Sequence, residues 1–269
     1  MKKAMLVLLA LLVLAVAGLY GYSSWLMRAK PSPLAFAALT PGDPVEGKRL
    51  ASIAGCTSCH EPDLGGGEFI HIDNVVRLFA PDLTRARERY DDAGLLRLLR
   101  TGAKADGNYA LGMPAQMQQR LTDREAADII AFVRSVPLAP KPVQSTTAVY
   151  PLGRLGLVLG EYKAYEGDVP ESAAVLLDRA EPGRGRHLAQ IACTECHGAQ
   201  LEGDPGIGAP SLAIAKAYDL AQFSRLMRTG VTRAGTESKT GLMSGVARAR
   251  FPAFTEEELA DLHAWLAAR

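Results

Sequence analysis

The sequence predicts a mainly α protein: an N-terminal transmembrane helix followed by two small helical domains in tandem. Three observations predict it. An uninterrupted apolar stretch follows the first lysines, three blocks recur in the same order in both halves, and two cysteine pairs of identical spacing are each followed by a histidine. The 269 residues leave room for about two domains at roughly 100 to 200 residues each. The 30 basic and 29 acidic residues are spread along the chain without a long basic run, so nucleic acid is not an expected partner.

The first element, residues 1–30, opens with Lys2 and Lys3 and stays apolar from Ala4 to about Met27, broken chiefly by Ser23 and Ser24. About 20 apolar residues cross a bilayer core as a helix. Tyr20, Tyr22 and Trp25 cluster at the far end, where amphipathic rings prefer the interface, and the early lysines favour a cytoplasmic start. The competing reading is a cleaved signal peptide, with Ala15-Val16-Ala17 as the small-residue site. Cleavage there leaves the apolar segment Leu19 to Met27 at the new N-terminus, which makes sense only in lipid. Either reading exports the rest of the chain.

Residues 43–138 and 181–269 form the two copies. The first block runs from Gly47 to Ala54 before Cys56, and from Gly185 to Ala192 before Cys193; Gly55 is extra in the first copy. The second runs from Tyr90-Asp91 through Leu95, Leu98 and Leu99 to Arg100-Thr101-Gly102. Its match runs from Tyr218-Asp219 through Phe223, Leu226 and Met227 to Arg228-Thr229-Gly230. Apolar spacings of three and four predict a helix, and the closing glycine predicts its C-terminal cap. The third block begins at Thr122 and Thr255, each followed three residues later by Glu125 or Glu258, the pattern of a capping box. Ile129, Phe132 and Val133 then match Leu262, Trp265 and Leu266 as one apolar stripe per copy. Residues 139–180 read as a Pro- and Gly-rich linker with a short helix near Leu152 to Tyr162.

Cys56-Thr57-Ser58-Cys59-His60 and Cys193-Thr194-Glu195-Cys196-His197 both carry the C-x-x-C-H signature of c-type haem attachment. Residues three apart share a face of a helical turn, so two sulfurs can reach the vinyl groups of one porphyrin and the next residue can present imidazole to the iron. The alternatives are redox dithiols or one four-cysteine zinc site joining both pairs. Either leaves His60 and His197 without a role.

The exported double C-x-x-C-H, the helix before each motif and the capped helix at each end resemble class I cytochrome c domains, over about residues 45–138 and 181–269. The resemblance implies three helices around each of two covalently bound haem c groups, attached at Cys56, Cys59, Cys193 and Cys196. It implies that His60 and His197 are proximal iron ligands, that Met113 and Met243 complete the axial sets, and that Pro81 and Pro210 accept a bond from the haem histidines. Met117 and Met227 read as core residues, His71 as a surface residue, and His187 and His263 as ordinary helix positions.

Iron held by histidine and methionine has no vacant position, so one-electron transfer is the expected chemistry. The run from Ala80 through Met113 to the Thr122 helix resembles cytochrome subunits of bacterial periplasmic dehydrogenases, which often carry three haems where this chain has two. That implies the bacterial inner membrane, haem domains facing the periplasm or cell exterior, and redox partners such as a dehydrogenase, a respiratory complex or a terminal oxidase. The alternative is a di-haem peroxidase, for which loss of Met243 from its iron would open a position to peroxide. No Ser-His-Asp, paired-carboxylate or phosphate-loop arrangement calls for hydrolytic chemistry.

Overall fold

The computed structural model describes residues 1–31, 39–143, 145–165 and 183–269. Helix α1 (Lys2–Leu26) is long and apolar enough to cross a membrane, and its apolar side chains are exposed along most of its length. In the first domain, α2 (Pro44–Ile53) starts at Asp43, whose carboxylate accepts the Val45 N–H at 2.8 Å, with proline in the first turn. The single turn α3 (Cys56–Cys59) follows, and then α4 (Asp92–Thr101), α5 (Ala115–Gln118) and α6 (Asp123–Ser135). Leu50 and Ile53 of α2 are buried with Ile129, Phe132 and Val133 of α6, where the two helices cross.

A small antiparallel sheet interrupts this helical frame. Strands β1 (Gly67–Ile72) and β2 (Val76–Ala80) form a hairpin, and β3 (Ala148–Val149) adds to β2. Val76, Leu78 and Ala80 alternate inward, and Asn74 makes the turn at φ 60°. The predicted linker helix is α7 (Pro151–Leu159), ended by Gly160; residues 144 and 166–180 of the linker lie outside the described residues.

The second domain repeats the first as α8 (Arg184–Ala192), α9 (Thr194–His197), α10 (Leu220–Thr229), α11 (Leu242–Arg250) and α12 (Glu256–Ala267). The sequence blocks recur with closely similar caps and bonds. Gly102 and Gly230 close α4 and α10 at φ 65° and 75°. Both capping boxes are complete: Thr122 accepts the Glu125 N–H at 3.1 Å and Thr255 the Glu258 N–H at 3.1 Å, with each glutamate reaching back to the threonine N–H. Tyr90 and Tyr218 each accept a backbone N–H fifteen residues on, from Ala105 and Arg233, at 3.2 Å. Arg100 donates to the Gln119 and Leu121 carbonyls and to Asp123, and Arg228 to the Phe251 and Pro252 carbonyls and to Glu256.

The two domains share one continuous apolar core. Their contacts are reciprocal. Arg49 on α2 pairs with Glu258 of the second capping box at 2.7 Å, and His187 on α8 pairs with Glu125 of the first at 2.8 Å. Arg49 and His187 occupy the same position of the first block, and the two glutamates the same position of the third. Residue i touching j while j touches i is the signature of a two-fold interface, here built within one chain from its own repeat.

The end of α1 is joined to the first domain. Ala29 donates to the Gly107 carbonyl at 3.0 Å, Tyr109 to the Met27 carbonyl at 2.9 Å, and Lys30 to the Tyr109 hydroxyl at 3.1 Å. From α7, Arg154 donates to Ser23 and Ser24 at 2.9 and 3.1 Å and lies over the Tyr20 ring.

Candidate functional site

Each cysteine pair lies at a helical turn that ends at its histidine, and no disulfide joins the four cysteines. His60 Nδ1 is 2.8 Å from the Pro81 carbonyl oxygen, and His197 Nδ1 is 2.7 Å from that of Pro210. With Nδ1–H donating, Nε2 of each imidazole keeps its lone pair for a metal. Burial holds both imidazoles below the ordinary histidine pKa, the proline bonds acting in the opposite sense, and a neutral imidazole is the form that ligates.

The loop after each motif is built the same way, in a correspondence that the sequence blocks did not include. Four residues beyond the histidine, Leu64 and Leu201 take left-handed backbone at φ 56° and 60° while their side chains are buried. Each leucine carbonyl accepts from the loop after the proline, from Leu83 at 2.8 Å and Leu212 at 2.9 Å. Six residues beyond the histidine, Gly66 and Gly203 donate back to its carbonyl at 3.0 and 2.9 Å. The equal offsets of four and six in both copies were the available signal.

In the second domain a cavity of about 370 Å³ is lined by Cys193, Cys196, His197, Pro210, Phe223 and Met243, among other mostly apolar side chains. Two thiols, an imidazole with a free nitrogen and a thioether lining one apolar cavity fit a covalently attached haem. Met243 is the second residue of α11, two positions after the left-handed Gly241 that caps the helix. In the first domain, Met113 packs partly buried against the core, just before Pro114 at the start of α5. A Cβ on the neighbouring Gly112 would lie 2.8 Å from Leu78 and 2.9 Å from Phe69, so the β1–β2 hairpin covers this methionine loop.

The residues read as core, surface and ordinary helix positions are placed accordingly. Met117 and Met227 are buried. His71 is exposed between Glu68 and Asp73, at 3.0 and 3.2 Å, and His263 bonds the Tyr218 carbonyl at 2.8 Å. Among the described residues, no three histidine, cysteine or carboxylate side chains form a metal-holding group, so the four cysteines do not make a zinc site. Burial pushes the Cys56 thiol up to about 11 and the Cys193 thiol up to about 12, opposite to the lowered pKa of a reactive dithiol.

The two motifs also meet. Arg250, at the end of α11 and 6% exposed, donates from Nε to Ser58 Oγ at 2.9 Å and from Nη1 to Glu195 Oε2 at 2.5 Å. Ser58 and Glu195 each immediately precede the second cysteine of their motif.

Compared with known proteins, residues 44–137 and 183–269 each match a family model described as Cytochrome c. No curated protein matches the chain.

Proposed function

Because the chain belongs to the cytochrome c family, twice over, and carries haem c covalently in both domains through Cys56 with Cys59 and Cys193 with Cys196, we propose that it is a membrane-anchored di-haem electron relay. Electron transfer by a haem protein is the family's chemistry. The finer reading is that one domain accepts single electrons from a donor dehydrogenase or respiratory complex, as in the dehydrogenase subunits it resembles. The other passes them to an acceptor such as a terminal oxidase.

The observation that carries this reading is the shared core with its reciprocal Arg49–Glu258 and His187–Glu125 pairs. Two haem domains held as one body suit transfer between them better than two independent carriers on a flexible tether. In this reading residues 43–138 and 181–269 are the haem domains. His60 with Met113 and His197 with Met243 are the axial pairs, and Pro81 and Pro210 orient the imidazoles. Helix α1 holds the relay at a membrane, its domains on the exported side.

Oxidised and reduced visible spectra of the purified protein test the proposal, with haem counted per chain and Met113→Ala and Met243→Ala measured alongside. Two haems per chain, with each variant losing part of the far-red band of methionine-to-ferric ligation, are expected. A native second haem that lacks this band and reacts with peroxide would replace the relay with the peroxidase reading.

A further inference from the structure

The two copies depart from one another at two places that meet in space. Gly55 is the extra residue of the first copy, and its left-handed backbone (φ 79°) opens the turn that starts the first attachment motif. A Cβ there would lie 2.5 Å from the Arg250 guanidinium carbon. Arg250 stands five residues before Thr255, and the residue five before Thr122 is Met117, which is wholly buried. Methionine therefore satisfies packing at this position in one copy, whereas the other copy buries a guanidinium. Withdrawing a guanidinium from water carries a desolvation cost, and an apolar side chain of similar volume is often as stable or more so. Packing alone does not account for Arg250.

Its partners do. Ser58 and Glu195 hold the same position in the two motifs, so one side chain ties the middle of one to the middle of the other. Arg250 also forms an ion pair with Glu195, so the charge it places at the junction stands beside both motifs. Each motif is covalently part of its haem, so joining the motifs brings the cysteine-bearing edges of the two groups to one junction.

Building on the relay reading, we propose that Arg250 is the positioning residue for electron exchange between the two haems, clamping the attachment motifs together so that the path crosses this junction. The step moves one electron and no proton: one centre is oxidised from ferrous to ferric as the other is reduced. The same guanidinium, withdrawn from water and close to both motifs, places a fixed charge where both centres feel it.

The test is potentiometric titration of the full-length holoprotein in detergent, together with the rate of redistribution between the haems after photoreduction. Arg250→Gln removes the cation and leaves Glu195, which favours the ferric state. Both waves should move to lower potential, by at least about threefold in the ferric-to-ferrous ratio, or about 28 mV at 59 mV per decade. Redistribution should slow as well. Glu195→Gln should move both waves upward, and this decides the matter if Arg250→Gln does not fold. Arg250→Lys should keep the potentials near those of the parent yet slow redistribution, because the charge stays and the fork is lost. Movement of one wave alone, or unchanged redistribution in both Arg250 variants, would overturn the assignment. A parent protein without two one-electron waves would instead refute the relay itself.

Discussion

Gly47 opens the first repeated block because α2 and α6 cross there at backbone contact. A Cβ on Gly47 would sit 1.8 Å from the Asp128 carbonyl oxygen. The obstacle is backbone, so no side-chain rotation relieves it, and the helices would have to part by about 1.2 Å to restore a 3.0 Å contact. Parting them loosens the packing of Leu50 and Ile53 against Ile129, Phe132 and Val133. Overpacking of this kind costs roughly 1–3 kcal/mol and occasionally more, and the backbone clash puts Gly47→Ala at the upper end. Alanine regains about 1 kcal/mol of helix propensity, so a net loss of about 2 kcal/mol is expected. Gly185→Ala should behave alike, its Cβ falling 2.2 Å from the Asp261 carbonyl oxygen. Denaturant unfolding of the holoprotein, followed by far-ultraviolet circular dichroism and haem absorption, measures the loss. Lys48→Ala, at an exposed position of the same helix, serves as the control. Unchanged or increased stability in Gly47→Ala would refute the close-crossing account, since propensity alone predicts a gain.

Arg100→Met should destabilise by roughly 2–6 kcal/mol, because a buried carbonyl left without its donor costs about 1–3 kcal/mol and two depend on this guanidinium. Arg228→Met should cost less, as that side chain is 27% exposed and water can replace it; equal losses would contradict this ranking. Glu125 should make stability fall on acidification. Burial raises its pKa, but the bonds and charge of His187 and the Thr122 N–H outweigh burial and leave it below the ordinary value of 4.5. Its ionised form therefore stabilises the fold above that value, and the contribution is lost as pH falls through the depressed one. Glu125→Gln should lower stability at neutral pH and flatten the acid limb of a stability–pH curve; a parallel shift at all pH values would show that the charge is not involved.

Much of this arrangement was legible because it is local. The caps at Gly102, Gly230, Thr122 and Thr255 are read from residues within one turn, and each C-x-x-C-H is contiguous, so their placement needed no knowledge of tertiary contacts. Doubling made weak signals strong. The hairpin from Gly67 to Ala80 was missed because its inward positions amount to Val76, Leu78 and Ala80, too short a period to stand out, and β1 is mostly exposed. The left-handed leucines escaped notice because a residue type does not announce positive φ unless it is glycine or asparagine. The setting of Met243 is not marked in the sequence: no proline follows it as Pro114 follows Met113, and α11 begins one residue before it. Arg250 gave no local sign at all: its bond to Ser58 spans 192 positions.

The seam between α1 and the first domain also governs how a partner can arrive. Backbone bonds at Ala29 and Tyr109, and Arg154 reaching Ser23 and Ser24, seat that domain directly on the end of the helix. With the helix in a bilayer, the domain stands at a set height and presents a constant side to the membrane plane. Docking two specific patches is slowed chiefly by the search over orientations. A partner embedded in the same bilayer is spared much of that search and needs only lateral diffusion to meet the protein, whereas a soluble partner must find the face turned away from the lipid.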